Sequence, residues 1–421
     1  MSSEDFSTLS SVYPVLTDER LSKALSDWFK ENVTFTRWEH VGKTGKGDSC
    51  LSEVIRIKIF GKTDPRDLKY IQIVLKSIPK SVSRRLTFRC DEFFKNEILF
   101  YTEVLPAMLK FQSTKNISDP FDNHAKVFLT HCDGENDIIC LEDVSIYKFK
   151  PYPVRQEGIE YEHCKVTFNA MAKFHALSFA MRDQKPEEFN GISNLIFENY
   201  YDERIWDWFK DYWTRIFSIA IDAVEQEYPN SKYVEKVKEF AGTETYKKMI
   251  KAVQDRKYGV ISHGDAWTNN FLYKYVNGQP NDAIMIDFQL ARCASPVLDI
   301  SFVIYACTTE DMREKYYDEL LKYYYEVLSR QIRAYGSYPN EVYSWEAFMA
   351  EVNKYSFFGL AFSFSSTPHI VLPPEEAFDM DLKGHKKHNI ADIWTLTPFK
   401  TKEGRQREAN NVKHCVDHGY I

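Results

Sequence analysis

Five residues after Asp265 in the run His263-Gly264-Asp265 stands Asn270, and further along comes Asp287-Phe288-Gln289. Two acids and an amide at such spacing suit phosphoryl transfer. That chemistry needs a carboxylate to orient an attacking hydroxyl and hard oxygen ligands to hold a metal ion. It also needs a lysine to neutralise phosphate, and backbone amides to cover it. Asp265 suits the first task and takes the proton of the hydroxyl. Asn270 and Asp287 suit Mg²⁺, which prefers oxygen donors. Lys76 ends the run IQIVLK, and Glu97 follows 21 residues on. A lysine on a sheet paired with a glutamate on the next helix fixes the amine against phosphate oxygens. Gly42, Gly45 and Gly47 fall in one glycine-rich stretch, where backbone can approach phosphates closely. Glu142 lies in ICLEDV, a segment whose backbone suits hydrogen bonds to an adenine. Asp265 alone would read as a turn residue, since Asp and Asn favour turns. The other four residues at matched spacing argue for chemistry instead.

The elements that must position these residues can be read from periodicity. Residues 17–30 have the spacing of an amphipathic helix with Leu21, Ala24, Leu25 and Trp28 on one face. VTFTRWEHV, LSEVIRIKIFG and KYIQIVLKS predict three strands, and VFLTHC and DIICLEDV two more around Asp133-Gly134, giving an antiparallel sheet. A helix is expected over 88–108, stopping near Pro106. The first lobe then covers 1–142 and the second 143–421. The second reads as mainly helical, with helices at 161–181, near 200–226, 231–255, 308–335 and 344–364. One small hairpin, 271–275 with 283–287, is expected around Asn277-Gly278. The tail beyond Lys383 is polar and reads as a terminal helix or a loose extension. The fold class is α+β: a small N-terminal antiparallel β lobe and a larger mainly helical C-terminal lobe.

Composition narrows the function classes. The chain has 421 residues, 44% apolar and 27% charged, a globular balance. A net charge of −7 argues against a nucleic-acid footprint, which would need a basic stripe. The eight cysteines form no CxxC pair and are read as reduced thiols of a cytoplasmic protein. Neither a secretory leader nor an apolar run of membrane-spanning length is expected. Cys132 and Cys140 lack partners for zinc, and His385 and His388 sit in the polar tail. His175 falls on an apolar helical stripe and reads as a core histidine. His263 and Asp299 are read as supports of the Asp265 loop. No GxSxG elbow is present for a hydrolase.

HGDAWTNNFLY, MIDFQLARCASPVLDIS, IVLK, FFKNEILFYTEVLP, LEDV and MAKFHALS together resemble the choline-kinase-like branch of the protein-kinase-like fold. More narrowly, they resemble the insect ecdysteroid-kinase-like family, over most of the chain. That resemblance implies a two-lobed kinase fold and ATP-dependent phosphorylation of a hydroxyl on a small molecule, with moulting steroids the best-known substrate class. It carries the base role to Asp265, the metal roles to Asn270 and Asp287, and the phosphate-neutralising pair to Lys76 and Glu97. The family's glycine loop reads Gly-x-Asn-Tyr-x-Ser. Here the loop is Gly47-Asp48-Ser49-Cys50-Leu51-Ser52, so Ser49 and Cys50 replace the Asn and Tyr, and Gly45, Gly47 and Ser49 are the expected nucleotide contacts. Three other functions stay open on sequence. A detoxification kinase for dietary phenols or glycosides and a choline-type kinase share the chemistry. A nucleotide-binding scaffold would need a missing catalytic residue. A protein kinase is disfavoured, because Asp-Phe-Gln stands for Asp-Phe-Gly and no Ala-Pro-Glu follows. Oligomeric state is not legible.

Overall fold

The structure is a computed structural model that describes residues 8–43, 51–64, 67–154, 157–373, 376, 378, 380 and 382–421. Gly45, Gly47 and Ser49 lie outside the described residues. The chain divides into two compact units. One comprises Met1–Ile98, Ala125–Lys148 and Asp379–Lys387; the other comprises Leu99–His124, Phe149–Phe378 and His388–Ile421. The first is built on an antiparallel sheet and the second is larger and mainly helical, so the chain is α+β as expected.

The first unit holds β1 (Thr34–Lys43), β2 (Glu53–Asp64), β3 (Asp67–Ser77), β4 (Val127–His131) and β5 (Ile138–Glu142). They form one sheet in the order β1-β2-β3-β5-β4. Alternation sets its faces: Ile71, Ile73 and Leu75 of β3 are buried, while Lys76 points to the opposite side. The helix Asp18–Phe29 covers the buried face with Leu21, Ala24 and Leu25. Thr17 caps it, its side chain accepting from Arg20 N–H. Gly42 belongs to β1 and pairs with Arg56. A Cβ there would meet nothing within 4 Å, so the strand does not require glycine at that position.

The helix expected to stop near Pro106 continues. Cys90–Leu99 runs through a π-helical turn, Phe100–Val104, into the helix Leu105–Ser113. Pro106 sits in the first turn of that last segment. There its missing N–H is not needed, so the proline starts a new segment rather than ending the old one.

In the second unit the helix Tyr161–Gln184 buries Phe168, Met171, Ala172, His175 and Phe179. The helices Trp206–Glu227, Glu310–Ala334 and Trp345–Val371 correspond to three of those expected. The one expected at 231–255 is two, Lys232–Phe240 and Thr243–Gln254. Gly242 breaks them apart with φ of 127°, a value that L side chains rarely adopt. The helix Pro296–Cys307 was not read from sequence. Every residue in it is buried, so no polar stripe gives it a period. The C-terminal segment is a packed helix, Lys402–Asp417, that buries Glu408, Ala409, Asn411, Val412 and Cys415. Among these helices lie β6 (Lys150–Pro151), β7 (Val260–Ser262), β8 (Phe271–Val276), β9 (Gln279–Met285) and β10 (Arg292–Ala294). β7 pairs with β10, and β6, β8 and β9 form a second small sheet. Asn277 and Gly278 turn the β8–β9 hairpin with φ of 51° and 79°, the double positive φ of a type I′ turn.

Candidate active site

In the first unit, Lys76 Nζ lies 2.6 Å from Glu97 Oε2. Glu97 is 1% exposed, so the carboxylate has lost its water and holds the amine by a charge-assisted bond. The register of β3, with Lys76 opposite Val54 and Ile139, fixes the stem of the lysine. Glu142 is buried at the end of β5. Its carboxylate accepts from Lys126 N–H at 2.9 Å, and its own N–H donates to Lys126 O at 2.9 Å. Asp143 N–H donates to Gln72 O. The N–H groups of residues 142 and 143 are therefore engaged within the unit, and neither offers itself to an adenine.

In the second unit, β7 delivers His263, Gly264 and Asp265, and the helix Pro296–Cys307 delivers the group that anchors them. Asp299 accepts from His263 N–H at 2.7 Å and from Gly264 N–H at 2.9 Å. His175 adds a third contact at 3.2 Å from Asp299 and is itself 2.8 Å from the Tyr324 hydroxyl. Burial would raise this carboxyl, but the bonds from His175 and the charge and N–H groups around it hold it below the ordinary range. Gly264 is required twice over. Its φ is 80°, and a Cβ there would lie 1.9 Å from Leu290 O. Burial keeps His263 neutral, below its ordinary pKa. Its Nδ1 accepts from Asp265 N–H at 3.2 Å, so Nε2 carries the proton and donates to Ile286 O at 3.0 Å. His175, His263 and Asp299 thus form the scaffold under Asp265.

Asn270 closes a short 3₁₀ turn, Thr268–Asn270. Its amide nitrogen donates to Asp265 O at 2.8 Å and to Asp265 Oδ2 at 3.1 Å, which turns the amide oxygen away from Asp265. Ile286 N–H donates to Asn270 O at 3.0 Å, tying the start of the hairpin to its end. Asp287 follows with φ of 66°, a strained value for a residue with a Cβ. Such outliers collect at functional sites. Phe288 is fully buried, and stacks on Phe100 with centroids 4.0 Å apart. Burial first, and then the charge of Asp287, push the Asp265 carboxyl up to about 7. Hydrogen bonds from Asn270 and Gln289 and the charge of Arg292 oppose that rise. Like charges that act on each other disfavour joint ionisation, and a bound cation removes that penalty. The donors are carboxylate and amide oxygens, the set a hard cation takes. Among the described residues no group of three or more His, Cys, Asp or Glu could hold a metal. Carboxylate and amide oxygens suit Mg²⁺, which keeps water and phosphate ligands of its own.

Four contributors escaped the sequence reading. Gln289 hydrogen-bonds Asp265, and Asn199 Nδ2 holds Gln289 O at 3.1 Å. Arg292 places its charge on Asp265 while its Nε lies 3.1 Å from Glu198 Oε2. Gln289 and Arg292 sit within the motif segment that begins at Asp287. Glu198 and Asn199 sit about 90 residues upstream, with no local pattern to mark them.

The chain matches the sequence model of the ecdysteroid kinase-like family over residues 46–337. No curated protein matches it. Among solved structures it is similar to an ethanolamine kinase of Plasmodium vivax at 10% identity, with a TM-score of 0.38, covering 91% of this chain and 84% of that one. It is also similar to the GDP complex of aminoglycoside 2'-phosphotransferase-IIIa at 14% identity, with a TM-score of 0.36, covering 83% of this chain and 91% of that one. A thermostable aminoglycoside phosphotransferase APH(4)-Ia variant with ADP and hygromycin B matches at 12% identity and a TM-score of 0.30, covering 83% of this chain and 97% of that one. A family match over more than half of the residues settles membership: the chain belongs to the ecdysteroid kinase-like family and is a small-molecule kinase.

Proposed function

We propose that this kinase uses ATP and Mg²⁺ to phosphorylate a hydroxyl of a small apolar alcohol, with an ecdysteroid as the first candidate. The observation that carries the reading is the constellation Asp265, Asn270 and Asp287, in which the charge of Asp287 helps push Asp265 up to about 7. Asp265 orients the acceptor hydroxyl and accepts its proton as the new P–O bond forms. The Asn270 amide oxygen and the Asp287 carboxylate hold the metal. When bound, the ion neutralises phosphate charge and relieves the repulsion between the two acids. Lys76, fixed by Glu97, neutralises the nucleotide phosphates. Gly45, Gly47 and Ser49 are assigned to contact with those phosphates. The hydroxyl oxygen forms the new P–O bond as the bond to the departing ADP oxygen breaks.

Seven cysteines among the described residues are free thiols, six of them buried. That favours a reducing compartment and the cytoplasm. No helix among the described residues is long and apolar enough to cross a membrane.

The test is phosphate transfer by purified protein with Mg-ATP and a panel: ecdysone, 20-hydroxyecdysone, choline, ethanolamine and phenolic glucosides. Mass spectrometry reads the product, and Asp265→Asn serves as control. The expected result is a steroid phosphate made by the wild type, with a loss of roughly 10²–10⁴ in kcat for the variant. Transfer to a glucoside or to choline instead would keep the chemistry and replace the substrate. Transfer that survives Asp265→Asn at full rate would remove Asp265 from the mechanism.

A further inference from the structure

Arg292 is 3% exposed, on the strand that pairs with β7. Only one end of its guanidinium is engaged. Nε donates to Leu290 O at 3.2 Å and lies 3.1 Å from Glu198 Oε2. Nη1 and Nη2 are buried without a hydrogen-bond partner among the described residues. A buried donor left unmade is costly, and an arginine offers its donors as a planar fork that matches paired oxygens. The fork also has a definite neighbourhood. The charge of Arg292 acts on the Asp265 carboxyl and on the hydroxyls of Tyr200 and Tyr201. Tyr200 in turn feels the charge of Asp265 and bonds to Ser365. The Tyr200 ring stacks on Phe362 at 5.7 Å, and Ser365 Oγ lies 2.9 Å from the Tyr212 hydroxyl. Beside the carboxylate assigned as base there is thus a buried wall of aromatic rings and hydroxyls, carrying the two unengaged NH₂ groups of Arg292.

The sign of the charge limits what those donors can take. Glu198 already neutralises Arg292, so the pair has little net charge to offer a second carboxylate or a phosphate. Asp265 and Asp287 stand near and repel anions further. An uncharged oxygen, hydroxyl or carbonyl, meets no such objection.

We propose that Arg292 binds an oxygen of the acceptor other than the one phosphorylated, and so selects alcohols bearing a second oxygen over those with only one. This rests on the kinase reading above and adds to it a specificity residue. Glu198, ion-paired with Arg292, positions that residue.

The experiment compares wild type, Arg292→Lys and the double variant Arg292→Gln/Glu198→Gln. The lysine keeps the charge opposite Glu198 but loses the fork. The double variant removes the pair without stranding a buried charge. Melting temperature confirms that each is folded. The probes are 20-hydroxyecdysone, cholesterol and choline, each with Mg-ATP. The expected result has the wild type preferring 20-hydroxyecdysone over choline by at least tenfold in kcat/KM. In folded Arg292→Lys and in the double variant, KM for 20-hydroxyecdysone rises at least tenfold while KM for ATP stays within twofold. A fall in kcat with both KM values unchanged would make Arg292 a structural residue and overturn the proposal. Choline or cholesterol used as well as 20-hydroxyecdysone by the wild type would overturn it too, with the kinase reading intact. Absence of transfer to every probe, with Mg-ATP bound, would bring down the proposed function and this assignment with it.

Discussion

Asp299 and Glu408 are both buried carboxyls of the larger unit, 2% and 0% exposed, and their surroundings drive them in opposite directions. Asp299 accepts two backbone N–H groups and faces His175, and is held below the ordinary range. At Glu408 the Thr367 hydroxyl and the charges of Arg407 and Arg313 are too little to hold the charge, and burial pushes that carboxyl up to about 8. Burial by itself therefore decides nothing; the number of donors aimed at the oxygens decides whether the charge survives. The region that anchors the Asp265 loop has been given those donors. The C-terminal helix has not.

Removing the well-served carboxyl has the largest expected effect. Asp299→Ala leaves the N–H groups of His263 and Gly264 buried without an acceptor, and leaves His175 without its partner. Breaking a buried charged cluster on one side costs about 3–5 kcal/mol. Chemical denaturation should show that loss, and the remaining folded protein should lose transfer as the loop comes free. A stability loss under about 1 kcal/mol would mean that backbone register alone holds the loop, and the contrast with Glu408 would carry no mechanical meaning.

Glu97 lies between the two extremes. It is as buried as Asp299 but is held by the ammonium of Lys76. A hydrogen bond to a charged group is worth about 1.5–3 kcal/mol, so Glu97→Gln should lower kcat/KM for ATP by roughly 10- to 150-fold. The change should sit in KM for ATP rather than in KM for the acceptor, with a smaller drop in stability than Asp299→Ala. Equal changes in both KM values would show that Glu97 supports the fold generally and not the nucleotide.

The same contrast explains what was legible in the sequence. Asp265, Asn270 and Asp287 share one loop and hairpin, so short-range spacing reveals them. Lys76 and Glu97 belong to a strand and the next helix, and strand and helix periods place both. Glu198, Asn199 and Arg292 meet by tertiary folding alone, and their residue types recur all along the surface. The helix Pro296–Cys307 was missed because it is buried on every side and so has no polar stripe to reveal its period. Pro106 misled for a local reason: a π-helical turn precedes it and lets the helical run resume. The tail beyond Lys383 reads as polar, yet Glu408 and Asn411 are fully buried. Residue type gives no warning of a carboxyl buried with too few donors.

That buried acid supplies the sharpest test of the contrast, because it is read through pH. Burial raises Glu408 from near 4.5 to about 8 in the folded protein, with the Thr367 hydroxyl and the charges of Arg407 and Arg313 opposing the rise. Between those values the unfolded chain has released the proton and the folded chain keeps it. The folded state then binds more protons, so stability must fall as pH rises from about 5 to about 8. Glutamine resembles the protonated acid in shape and charge. Glu408→Gln should therefore melt close to wild type at pH 5 and above it at pH 8, and the gap should widen steadily between. Asp299→Asn should do the reverse, costing most at neutral pH, where the wild-type carboxylate is ionised and fully bonded. Parallel melting curves for Glu408→Gln and wild type across that range would show that Glu408 is charged in the fold. Arg407 and Arg313 would then be its true partners, and the two carboxyls would be alike after all.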